Sequence, residues 1–443
     1  MVSAPEAATL PLFVSAEAQR PIAWRRGVPV PLAEFRTHVA PVAARLPNRS
    51  APAAMINLCE DRYKFLVAYA AALSVGHTVL LPSSRAEQVV ADVASANAGS
   101  YRIDDAAVDA ALAQGSSQAV NERISADLTV MIGYTSGSTG QPKTFPKLWR
   151  TVSGSNARNA QAIRAALPDK TATVWVLATV PPQHMYGMEM SVLLPLAGDM
   201  AVHAGRPLFP ADIAAALAEL PRPRVLVTTP VHMRAIVGSD QQFPAVDVIV
   251  SATAPLDQPL AAAMTAKLGG EMVEMFGSTE TCVFASRLTA REEQWRLYDG
   301  VRLEPRDDGT LVHAPWFVEP VLLQDMVELQ PGNRFVVRGR SSDMIEVAGK
   351  RASLTDLTKR LLAIPGVQEA AVFQPDADAV GTIRRVAALV VAPNLTAREV
   401  LDQLASGVDS AFLPRPLLIV DQLPRNELGK LPRENLLKAL RRE

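Results

Sequence analysis

The chain has 443 residues, 49% of them hydrophobic, enough for more than one buried core and for two or three compact units. A formal net charge of −1 leaves no basic surplus for nucleic acid or an anionic membrane surface, and no uncharged apolar run reaches the roughly 18 residues of a membrane span. Two distant cysteines, Cys59 and Cys282, give neither a disulfide framework nor metal-ligand spacing, and both are expected as buried thiols. Glu6 precedes any apolar run, which is not the start of a secretory signal, so a soluble cytoplasmic protein is expected.

Apolar runs predict strands at 54–58, 78–81, 128–132, 173–178, 200–203, 224–227, 246–250 and 271–275. Between them, helical periodicity predicts helices at 62–75, 85–97, 150–166, 210–220, 230–238 and 257–268. Such alternation defines an α/β domain of mostly parallel sheets with flanking helices. Ligands bind such sheets beyond the C-terminal ends of the strands. Tyr134, Ser251 and Phe276 each follow a predicted strand, so all three are expected at one rim. From about Trp316 the pattern shortens to β-like runs at 318–323, 326–329 and 334–337, and Gly339-Arg340-Ser341-Ser342 is a polar break. The expected division is a large domain, 1–340, and a small mobile α+β domain, 341–443. The small domain should hold a strand at 344–347, a hairpin at Gly349 and a helix at 354–363. Strands near 367–373 and 384–392, a helix near 396–406 and a final helix at 432–441 follow.

Residues 134–147 read Tyr-Thr-Ser-Gly-Ser-Thr-Gly-Gln-Pro-Lys-Thr-Phe-Pro-Lys and open directly off the 128–132 strand. Thr135, Ser136, Ser138 and Thr139 supply hydroxyls, Gly137 and Gly140 let the backbone curl, and Lys143 supplies a cation. A concavity of converging donors suits a polyphosphate. The run is not the G-x-x-x-x-G-K-[ST] loop of P-loop kinases and GTPases. Pro142 stands before Lys143 with no N–H to donate, and Gly140 is too early.

The run resembles the signature of the adenylate-forming superfamily, which includes acyl- and aryl-CoA synthetases, adenylation domains and luciferases. Four later segments resemble that family's motifs in the same order: Pro181 to Gly187 around His184, Met275 to Glu280, Gly339 to Asp343 with Val347 to Lys350, and Asn426 to Lys430. The resemblance covers residues 134–430.

This likeness implies an ATP- and Mg²⁺-dependent activation of a small carboxylic acid. The 135–143 loop would grip the departing pyrophosphate, with Lys143 as the countercharge. Phe276 would stack on adenine, Gly277 would allow close backbone approach, and Ser278 belongs to the same segment. Thr279 would hydrogen-bond phosphate and Glu280 would hold Mg²⁺. Ser251-Ala252-Thr253 matches a turn lining the adenine and acyl pocket, with Ala252 and Thr253 in place of two glycines. Asp325 would bind the ribose hydroxyls, and Arg340 would add a ribose or phosphate contact. His184 would wall the carboxylate pocket. Lys430 would bridge the carboxylate and the α-phosphate. Rotation about a hinge at Ser342 would then bring the Gly349 hairpin to a thiol tunnel.

The acceptor implied is a phosphopantetheine thiol, on an acyl carrier protein or on free CoA. The short chain, and Arg384, Arg385, Arg415 and Arg425 as possible docking cations, lean the reading to a carrier protein and a hydroxybenzoate-like acid. An oxygen-consuming luciferase-like enzyme and a non-catalytic adenylate-binding regulator are the alternatives. The joint retention of Lys143, Thr279, Glu280, Asp325 and Lys430 argues against the regulator.

Overall fold

The computed structural model describes residues 8–47, 53–116, 118–135, 143–340, 344–347, 350–375, 386–426 and 431–441. The protein is mixed α/β and divides into two compact units: Met1–Arg302 with His313–Val321, and Leu303–Val312 with Leu322–Glu443.

The larger unit is built on two sheets. One runs in the order Tyr101–Ile103, Ala54–Asn57, Thr78–Leu81, Thr129–Thr135, Lys143–Leu148, parallel except for the last strand. In the other, Glu271–Ser278, Val248–Ser251, Arg224–Thr228, Trp175–Ala178, Ala201–His203 and Pro21–Arg25 lie side by side and parallel. The strands Cys282–Leu288 and Val28–Pro31 flank this parallel core in antiparallel pairing. The inner strands are near-continuous runs such as Trp175-Val176-Leu177-Ala178, all buried, as expected where both faces are covered.

The helix Arg62–Ser74 packs on the strands Ala54–Asn57 and Thr78–Leu81, and every residue of it but Lys64 is buried. A helix that is apolar all round belongs in a core rather than on a surface. Asp61 caps it, accepting from Lys64 N at 3.0 Å. The helix Trp149–Ala165 buries an unusual face, with Ser155, Asn156 and Asn159 alongside Val152, Ala160 and Ile163. Its spacing is that of an apolar stripe, but polar residues occupy half of it, so a polar partner must lie opposite.

In the smaller unit, the strands Asp325–Gln330 and Arg334–Arg340 form an antiparallel hairpin. A sheet of Glu369–Phe373, Ala387–Val391 and Leu417–Ile419 carries the helices Leu354–Leu362, Ala397–Ala405 and Arg433–Leu440. Leu357, Leu361, Ala388, Val390, Val400 and Leu404 fill one core of this unit, and Phe373, Leu389 and Leu436 another. The helix Leu354–Leu362 packs on the strand Arg334–Arg340. That contact draws 322–340 into the C-terminal unit, ahead of the division expected at 340/341.

Candidate active site

Thr129–Thr135 and Lys143–Leu148 pair antiparallel, with Thr135 opposite Lys143. Residues 136–142 therefore connect the two strands of a hairpin, and Lys143 is exposed at its mouth. Ser136, Gly137, Ser138, Thr139 and Gly140 lie outside the described residues, as do Ser342, Gly349 and Lys430. Of Thr135 and Arg340 only the backbone is described.

The second motif is the turn joining Glu271–Ser278 to Cys282–Leu288. Ser278 pairs with Cys282, and a bulge falls between Phe276 and Gly277. Ser278 N donates to Thr281 Oγ1 at 3.0 Å, and Thr281 Oγ1 donates to the Cys282 carbonyl at 2.8 Å. A Cβ on Gly277 would sit 2.1 Å from the Cys282 oxygen. The turn's own return strand therefore requires a residue without a Cβ at this position. Phe276 is half-buried and lies 4.9 Å from the Trp295 ring and 5.5 Å from that of Phe284, centroid to centroid. Thr279 and Glu280 are half-buried.

The two motifs meet. A Cβ on Gly133 would stand 3.4 Å from Thr279 Cγ2, and Lys147 Nζ donates to the Glu280 carbonyl. The 129–148 hairpin and the Thr279–Glu280 turn therefore face each other.

His184 precedes the short helix Met185–Met188, whose Met188 N donates to its carbonyl at 2.8 Å. Tyr186 Oη lies 3.1 Å from the Thr228 carbonyl and 3.0 Å from that of Val250, pinning the ends of two parallel strands. A Cβ on Gly187 would sit 1.8 Å from the Pro181 oxygen, so the His184 loop closes only with glycine there. A π-helical turn, Glu189–Leu193, follows. Arg62 is fully buried and donates to the carbonyls of Ala178, at 2.9 Å, and Val180, at 2.8 Å, and to Ser191 Oγ. It thereby fixes the chain entering the His184 loop. Burial pulls its guanidinium down to about 9, with Arg206 adding to the effect.

Ser251 ends its strand fully buried, and its Oγ has no hydrogen-bond partner among the described residues. Ala252 is buried beside it. Thr253 is exposed at φ 79°, a left-handed conformation that favours glycine. The backbone of the glycine-type turn is thus kept with a β-branched residue in it. In the smaller unit, Asp325 and Arg340 are direct cross-strand partners, and the Asp325 carbonyl accepts from Thr310 Oγ1 at 2.8 Å.

Beneath the Ser278–Cys282 turn lies a polar network that sequence reasoning passed over. Glu189, 2% exposed, accepts on Oε2 from Ser155 Oγ at 3.3 Å, Asn159 Nδ2 at 3.2 Å and Val283 N at 3.0 Å. Burial holds its carboxyl above the usual carboxylate range, against those hydrogen bonds and the Lys147 charge. The available signal was the lone carboxylate in Met188-Glu189-Met190, and the polar residues on the buried face of 149–165.

The arrangement is that of a mixed α/β protein whose two motif turns meet beyond the ends of its strands. The chain belongs to the AMP-binding enzyme family, whose model matches residues 34–308, with the AMP-binding enzyme C-terminal domain matching 359–430. It is 30% identical over 234 residues to a 4-coumarate–CoA ligase of Rhodobacter capsulatus, covering 53% of this chain and 58% of that protein. It is 28% identical over 353 residues to a probable 2-succinylbenzoate–CoA ligase of Mycobacterium tuberculosis, covering 72% of this chain and 86% of that protein. The chain thus spans a little over half of the first of these relatives. The crystal structure of ATP bound MatB from Rhodopseudomonas palustris shares the fold, with a TM-score of 0.79 at 20% identity over 97% of each chain.

Proposed function

We propose that the protein activates an aromatic carboxylic acid with ATP and passes the acyl group to a phosphopantetheine thiol. The observation that carries this reading is the apposition of the 129–148 hairpin and the Thr279–Glu280 turn, through Gly133 to Thr279 and Lys147 to Glu280. One motif supplies donors and a cation for the departing pyrophosphate. The other supplies a hydroxyl and a carboxylate for the phosphate and its metal.

The acid's carboxylate attacks the α-phosphorus, an acyl–phosphate bond forms as the bond to pyrophosphate breaks, and the thiol then displaces AMP. Lys143, with the loop hydroxyls of Thr135, Ser136, Ser138 and Thr139, holds the leaving pyrophosphate. Phe276 faces adenine, and Asp325 and Arg340, adjacent across their hairpin, take the ribose. His184 and Ser251 line the acid pocket, which the Arg62-braced loop closes. Lys430 balances the charge that builds between carboxylate and α-phosphate, an effect typically worth roughly 10²–10³ in rate. Delivery of Lys430, and its exchange for the Gly349 hairpin about Ser342, belongs to the same reading.

Mg²⁺ binds through one or two carboxylates plus phosphate oxygens and water rather than in an all-protein cage. The Glu280 carboxylate is half-buried and has no hydrogen-bond or ion-pair partner among the described residues, and no three-residue acidic or His/Cys cluster occurs among them. That donor set fits the ion, which would neutralise the β- and γ-phosphates from Glu280.

The names of the two relatives support an aromatic acid and CoA. Arg425, one of the cations considered for carrier docking, is engaged by Glu369, its Nε donating to Oε2 at 3.1 Å. Arg415 is exposed, and Arg384 and Arg385 lie outside the described residues. We therefore place free CoA ahead of a carrier protein, reversing the lean from chain length. The test is to find an acid that supports pyrophosphate release, then offer CoA and a phosphopantetheinylated acyl carrier protein separately. Thioester with CoA alone supports this order, and thioester with the carrier alone reverses it. An acid-independent ATP-binding protein with no exchange would favour the regulator.

A further inference from the structure

Lys147 is a buried ammonium, 5% exposed, on the strand that returns from the glycine-rich run. Nothing in the chemistry above uses it. Holding an ammonium out of water costs several kcal/mol unless it is paired and hydrogen-bonded. Here its Nζ donates to the Glu280 carbonyl, and the buried Glu189 carboxyl belongs to the same polar network.

The two groups grip the Thr279–Glu280 turn from both sides. Lys147 holds the carbonyl of Glu280 within the turn. Glu189 Oε2 holds the amide of Val283, one residue past Cys282 where the chain returns at φ 57°. The turn's own hydrogen bonds are few and local, running between Ser278, Thr281 and Cys282. Lys143 and Lys147 also share a strand, four residues apart. A shift of that strand would therefore be felt by the turn.

We propose that Lys147, braced by Glu189, is a positioning residue that locks the Thr279–Glu280 turn to the phosphate-binding hairpin. This rests on the reading that Thr279 and Glu280 meet the phosphates and their metal. Misplacing such groups by about 1 Å can cost roughly 10²-fold in rate.

The test uses the full chain with Lys147→Met, Lys147→Arg and the double variant Lys147→Met/Glu189→Gln. Three readouts are taken: melting temperature, amide hydrogen exchange over 278–283, and kcat and KM for pyrophosphate exchange with an acid the parent accepts. Lys147→Met is expected to lower kcat by about 10²-fold, to speed exchange at 278–283 and to lower the melting temperature. Lys147→Arg, which can still donate to the carbonyl, should recover part of kcat. Adding Glu189→Gln removes the unpaired buried carboxylate and should restore the melting temperature without restoring kcat or amide protection. Parental kcat and protection in Lys147→Met would overturn the proposal. So would joint recovery of stability and kcat in the double variant, which marks a merely structural pair. If the parent exchanges no pyrophosphate with any acid, the functional reading fails, while the amide exchange still decides whether Lys147 holds the turn.

Discussion

Thr135 and Lys143 stand opposite each other at the mouth of one hairpin, so the glycine-rich run begins and ends at a fixed gate. Lys143 is exposed and supports no core. Lys143→Ala should lower kcat/KM for ATP by about 10²-fold or more and leave the melting temperature unchanged. Steady-state pyrophosphate exchange beside a thermal melt checks this.

Glu189 gives a pH prediction with a definite sign. Burial makes the folded-state carboxyl a weaker acid, so the folded protein holds this proton over a range where the unfolded chain has released it. Its contribution to stability is full below the ordinary carboxylate range and is lost as pH rises toward the folded value. Glu189→Gln, which can present its carbonyl to the same three donors, lacks that loss. The melting temperature of Glu189→Gln relative to the parent should therefore grow more favourable as pH rises above the ordinary carboxylate range. A flat difference over that rise contradicts the assignment.

The two cysteines should be silent. Cys59 and Cys282 are free and buried, and burial pushes the Cys282 thiol up to about 12 and Cys59 higher still. Thiolate is the reactive form, so native protein should take up almost no maleimide near neutral pH, and both sites should label once the chain is unfolded.

Among the described glycines, Gly187 is the one where an added methyl group would meet the nearest atom. The Pro181 oxygen 1.8 Å from a Cβ is backbone held by the His184 loop, not a side chain that can swing away. Gly187→Ala should cost about 1–3 kcal/mol in denaturant unfolding and raise KM for the acid more than KM for ATP. Equal parental constants would show that the loop is softer than its packing implies.

The parallel core was legible because buried strands are unbroken apolar runs. Thr78–Leu81 falls where the periodicity puts it, and Arg224–Thr228 and Glu271–Ser278 begin where expected. The N-terminal strands Pro21–Arg25 and Val28–Pro31 were not, being short and bounded by proline, and the helix Leu32–Ala43 that follows carries Pro41 inside it. The π-helical turn at Glu189–Leu193 leaves no pattern in sequence, because its extra residue depends on what packs against it. The motif residues were readable as types but not as geometry. Thr253 looked like a loss of glycine, yet its backbone takes the glycine conformation. Gly277 was readable as a residue without a side chain, but not the return of the chain at Cys282 and Val283 that a Cβ there would strike. The Lys147–Glu189 network was invisible because its members come from three distant segments joined only by the fold.

The most direct test of the account is acid-dependent exchange of labelled pyrophosphate into ATP, run on the parent and on Lys430→Ala across aromatic and aliphatic acids. The account predicts exchange with an aromatic acid in the parent and a loss of about 10²-fold or more in Lys430→Ala with ATP binding kept. Absence of exchange with every acid, or equal rates in the two proteins, would contradict it.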